Sequence, residues 1–185
     1  ISKNAPAEVQ ARIVRSSVTA TDGALELAAK SEQSIDVYVG AFAAAVGGSS
    51  GVGLAGAGAG ARATNGIAIN VIAAIDGDGA SGITADRLDL EAIDTSSISA
   101  VTGAVAVAIA FGGGSAIALA VGVALAENII QNEVASYIND ADGVVVTGAV
   151  SLTASETASI DSNTFAAAVA VAVSKTSFAV AVGYL

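Results

Sequence analysis

The stretch Val101-Thr-Gly-Ala-Val-Ala-Val-Ala-Ile-Ala-Phe-Gly-Gly-Gly-Ser-Ala-Ile-Ala-Leu-Ala-Val-Gly-Val-Ala-Leu-Ala126 decides how this chain folds. It lies in a charge-free run from Thr95 to Ala126. Hydropathy alone reads it as a transmembrane helix. Its side chains alternate in size instead. Val105, Val107, Ile109 and Phe111 are large, and Ala104, Ala106, Ala108 and Ala110 between them are small. After Gly112-Gly-Gly-Ser115 the pattern resumes at Ile117, Leu119, Val121, Val123 and Leu125. A period of two means strand, because successive side chains point to opposite faces. β-Branched residues on the large positions agree. The same pattern recurs around Val169, Val171 and Val173, and there its turn contains Lys175. A lipid-buried helix would not carry a lysine at its midpoint. No Lys or Arg flanks the run as an interfacial anchor. A transmembrane barrel is disfavoured too, since its lumen positions should be polar and both alternating sets here are apolar. A membrane span is therefore not the expected reading, and the Val/Ile/Phe set is the expected core.

Outward from this stretch the chain repeats. Leu25-Glu-Leu-Ala-Ala-Lys-Ser-Glu-Gln-Ser-Ile35 returns as Leu88-Asp-Leu-Glu-Ala-Ile-Asp-Thr-Ser-Ser-Ile98, then as Val150-Ser-Leu-Thr-Ala-Ser-Glu-Thr-Ala-Ser-Ile160. The offsets are 63 and 62 residues, and such a period marks stacked copies of one unit. The whole of 1–185 reads as one array: partial copies at 1–24 and 150–185, full copies at 25–87 and 88–149. Each copy has a polar-alternating part, an Ala/Val part with a central Gly/Ser turn, and a mixed part ending in an Asp/Gly/Asn turn. Parts of roughly 20 residues match one coil of a parallel β-helix. The expected fold is all-β, a right-handed parallel β-helix-like solenoid with a repeat of about 63 residues. The alternative is an antiparallel array of stacked β-hairpins built on the Gly112–Ser115 turn. Stacking predicts columns: Ser34, Ser97 and Ser159; Leu27, Leu90 and Leu152; Ile35, Ile98 and Ile160; Asn65 and Asn128. By the same alignment Ile1 and Leu185 fall at nearly one repeat phase, which predicts head-to-tail stacking.

Composition narrows the function. There is no Cys or His, so thiolate and imidazole sites are excluded. A net charge of −10 argues against nucleic acid and anionic membrane surfaces. Seven Lys and Arg residues give no readable nucleophile–base or carboxylate–cation grouping, so no enzyme is expected. Asp76-Gly-Asp-Gly79 and Asn139-Asp-Ala-Asp142 are the only metal-like clusters. Asp76, Asp78, Asn139, Asp140 and Asp142 offer hard oxygen donors suited to Ca²⁺. Asp-Gly is equally an ordinary corner turn. No cofactor is required by the sequence.

Three signatures cycle through the chain: a strand such as Val150-Ser-Leu-Thr-Ala154, an Ala/Val/Gly-rich pair of strands, and Asn128-Ile-Ile-Gln-Asn132 leading to Val134 and Ile138. In this the chain resembles large repetitive bacterial surface proteins, including leukotoxin-type filamentous adhesins and giant β-strand-repeat proteins. The resemblance implies an extracellular, cell-surface β-solenoid displayed or released as fibre, with no catalytic residues to carry over. The expected function is a structural or adhesive segment that associates with itself, head-to-tail or laterally. A membrane-embedded protein is the alternative, and a carbohydrate-binding or polysaccharide-acting β-helix comes third. The surface glycan or receptor it would touch is not specified by the sequence.

Overall fold

A computed structural model of the chain describes residues 6–176 and 178–184. Every regular element in it is a strand: β1 Ala7–Val14, β2 Val18–Ser49, β3 Val52–Asp76, β4 Ile83–Gly112, β5 Ser115–Asn139, β6 Val144–Val146, β7 Val150–Ser174 and β8 Phe178–Tyr184. They form two sheets. One has the order β1-β3-β5-β8, and the other runs β2-β4-β6 with β7 also on β4. The shared phase of Ile1 and Leu185 lies outside the described residues.

The pairing is parallel and keeps one interval. Ala7 pairs with Ile69, Ile83 with Val144 and Ser115 with Phe178, which is 62, 61 and 63 residues further on. Two expectations change. Pairing partners stand one full repeat apart, not one 20-residue part. The reason is that no turn residue interrupts the passage from the polar part to the Ala/Val part, so β4 runs unbroken through both. The stacked-hairpin alternative also fails, because β4 and β5, joined by the Gly113–Gly114 turn, belong to different sheets.

The chain divides into two compact units, each gathered from three stretches. Unit 1 comprises 1–34, 66–97 and 129–160, and unit 2 comprises 35–65, 98–128 and 161–185.

Unit 1 is built in the ordinary sense. Leu27, Ile69, Val71, Ile75, Ile83, Leu88 and Leu90 fill its interior. Each large side chain taken out of water there contributes about 1.5–3 kcal/mol. The alternate positions carry Glu26, Lys30, Asp89 and Glu91, and Lys30 Nζ meets Glu91 Oε2 at 2.6 Å. Its corner repeats a left-handed residue in all three copies: Arg15 (φ 43°), Gly77 (φ 81°) and Asp140 (φ 50°). These corners stack, since Arg15 N–H donates to the Asp76 carbonyl at 2.9 Å and Gly77 N–H to that of Asn139 at 2.8 Å.

Unit 2 is inverted. Ala104, Ala106, Ala108 and Ala110 of β4 and Ala116, Ala118 and Ala120 of β5 make its buried interior. The expected Val/Ile/Phe core is corrected here: that set points outward. The reason is the distance between the sheets. A Cβ on Gly122 would stand 2.7 Å from the Ala167 carbonyl oxygen of the facing sheet, and one on Gly112 only 1.7 Å from that of Ser115. Only methyl groups and hydrogens fit such a gap.

Candidate interaction surface

The inversion of unit 2 leaves a large apolar surface in water. Outward from β2 stand Tyr38, Phe42 and Val46, and from β4 Val105, Val107, Ile109 and Phe111. β7 adds Phe165, Val169, Val171 and Val173. The other sheet presents Leu54 from β3 and Ile117, Leu119, Val123 and Leu125 from β5. Both outer faces are therefore apolar. This is not only an effect of unpaired edges. β4 and β5 are paired on both sides, yet Phe111 is 48% and Leu119 48% exposed. A surface of this extent marks an interaction site.

The two ends of the unit are polar. At the turn end lie Ser49, Ser50, Ser115, Lys175 and Thr176. Gly113 N–H donates to the Ser49 carbonyl (2.9 Å), Lys175 N–H to that of Gly112 (3.2 Å), and Thr176 Oγ1 to that of Gly113 (2.9 Å). At the other end Arg62 faces Glu127 at 3.7 Å. There Asn128 accepts from Asn65 Nδ2 at 2.7 Å and donates to Ser162 Oγ at 3.0 Å. The Asn column read from the sequence is thus a hydrogen-bonded ladder. Asp36, Arg62, Glu127, Asp161 and Lys175 are the only charged residues in the unit's sequence, and all five fall at these ends.

The sequence missed this surface because it took large apolar side chains as core. The signal was present in the alanines. A run of alternating Ala on both strands of a Gly-linked pair leaves no room for anything larger between them.

The residues read as candidate Ca²⁺ donors lie at the corner of unit 1. Asp76, Asp78, Asn139 and Asp140 come together, but with Arg12 and Arg15 among them. Arg12 Nη2 sits 2.9 Å from Asp76 Oδ2, and Asn139 Nδ2 donates to Asp76 Oδ1 at 3.2 Å and to Asp140 Oδ2 at 3.3 Å. Asp78 accepts from Gly143 N–H, and Asp142 is exposed. These groups cross-link successive corners. Among the described residues no group of three or more Asp or Glu stands close enough to hold a metal ion.

A buried polar cluster went unread. Asp94 and Ser96 lie inside unit 1, where Asp94 Oδ2 accepts from Ser96 Oγ at 2.7 Å and from Asn132 Nδ2 at 2.7 Å. Its signal is phase: Asp94 continues the inward series Leu88, Leu90, Ala92. On the outside of unit 1 a shallow groove is lined by Glu26, Arg87, Asp89, Glu91, Ser151 and Thr153. Ser97 Oγ donates to Ser34 Oγ at 3.3 Å, so the serine column is in contact between these two copies.

No protein-family model, curated protein or solved structure matches this chain. No helix among the described residues is long and apolar enough to cross a membrane, which leaves strand-built crossings untouched.

Proposed function

We propose that this chain is a structural segment of an exported bacterial surface fibre, a β-solenoid whose coils of about 63 residues stack on one another. The carrying observation is the constant interval of the parallel pairing, which places equivalent residues of successive copies side by side. Backbone ladders then run along the stack, and side-chain ladders such as Asn65–Asn128 and Ser34–Ser97 follow it.

Self-association has a ready template. β2 pairs with β4 alone among the described strands, so a 32-residue strand offers its other edge for pairing. Long open edges recruit further strands. The role is mechanical, and the reading carries no catalytic step.

Native mass as a function of concentration tests it. Growth of multiples of 17.6 kDa, with a meridional fibre reflection near about 4.8 Å, is expected. A monomer at every concentration would contradict head-to-tail stacking.

A further inference from the structure

We infer that the outer surface of unit 2 inserts into the hydrocarbon of a lipid bilayer, with its turn end leading. The inference rests on the stacking reading, because open strand edges cannot enter lipid unless further coils pair with them.

Four observations favour lipid as the occupant. The first is length. At about 3.3 Å per residue, the outward apolar positions span about 33 Å from Val101 to Phe111 and about 26 Å each from Tyr38 to Val46, Ile117 to Leu125 and Phe165 to Val173. A bilayer's hydrocarbon core is about 30 Å thick. The second is distribution. Both outer faces of the unit are apolar, so a medium that surrounds the unit fits better than a partner seated on one face.

The third is charge. The five charged residues of unit 2 lie beyond the apolar span at one end or the other, and Lys175 sits at the turn end, where a spanning element would emerge into water. The fourth is the interior. The objection that a membrane β-structure needs a polar lumen does not apply, because the two sheets of unit 2 close on each other through alanine and leave no lumen. Aromatic side chains stand near both ends, Tyr38 and Phe165 at one and Phe111 and Phe178 at the other, as in interfacial belts.

The probe is zwitterionic phosphatidylcholine, since the chain's net charge disfavours anionic headgroups. The chain has no tryptophan, so single reporters can be placed: Leu119→Trp on β5, Phe42→Trp on β2 as a conservative second site, and Thr153→Trp on the polar outside of unit 1. Flotation with vesicles, and quenching by phosphatidylcholine brominated along the acyl chain, are read together with native mass. The expected result is flotation, with quenching at 119 and 42 and none at 153. Adding a charge to each outer face, Val107→Asp on one sheet and Val123→Asp on the other, should lower partitioning at least about tenfold.

Stacked protein whose reporters at 119 and 42 stay unquenched overturns the insertion and leaves the stacking reading intact. A blue shift at 119 that grows with protein concentration and ignores vesicles also overturns it, and assigns the surface to a second copy. A monomer that neither floats nor quenches removes both readings.

Discussion

The two units of this chain solve the same packing problem in opposite senses. Unit 1 puts Leu, Ile and Val between its sheets and charge outside. Unit 2 puts alanine between its sheets and Val, Ile, Leu and Phe outside. The same strands supply both, since β2, β3, β4, β5 and β7 each contribute residues to the two units. Alternation therefore specifies a strand but not which set faces inward. Spacing between the sheets decides that, and glycine and alanine set the spacing. The energetic consequence is direct. An alanine methyl contributes about 0.8 kcal/mol on burial, well below a leucine. Unit 2 thus relies more on its backbone ladders and on whatever covers its outer surface.

Substitutions can break this contrast, and the largest effect is expected inside unit 1. Leu90→Ala empties a fully packed position and should cost about 2–5 kcal/mol in denaturant unfolding. Inside unit 2 the sign of the size change reverses. Ala108→Leu adds apolar bulk where the sheets nearly touch and should cost about 1–3 kcal/mol, which a thermal melt would register. A stabilising effect there would mean that the interior of unit 2 is looser than described.

Smaller effects sharpen the same contrast. Arg15→Gly relieves a left-handed backbone at the corner of unit 1 and should raise stability by about 0.5–1 kcal/mol. Asp140→Gly, in the same column, should gain less, because Asp enters that region more readily than Arg. Smallest of all is Leu119→Ser on the outside of unit 2. In dilute solution without vesicles it should move the unfolding midpoint by no more than about 0.5 kcal/mol, although it removes a large apolar side chain.

Much of the fold was legible in the residues. The alternation of Val105 to Phe111 against Ala104 to Ala110 gives strands, and the return of Leu25–Ile35 as Leu88–Ile98 gives the interval at which those strands pair. The coil length was not, because Ser96 and Ser97 look like turn residues and are strand residues. Whether a serine bends the chain depends on neighbours a repeat away. The interaction surface was misread for a related reason: hydrophobicity ranks Val above Ala for burial, and only the gap between the sheets reverses the order. The acidic corners were legible as turns. Their cross-links to Arg12 and Asn139 come from other copies, 64 and 63 residues from Asp76 in sequence, and no local motif announces them.

Thiol reactivity tests the inversion most directly, because the chain contains no cysteine of its own. Leu119→Cys and Ala118→Cys place single thiols on neighbouring residues of β5, one 48% exposed and the other 1%. In dilute, vesicle-free solution the thiol at 119 should react with a maleimide at least about tenfold faster than the one at 118, as expected when labelling of a buried site requires local opening. Equal rates, or faster labelling at 118, would contradict an alanine interior with the large side chains outside.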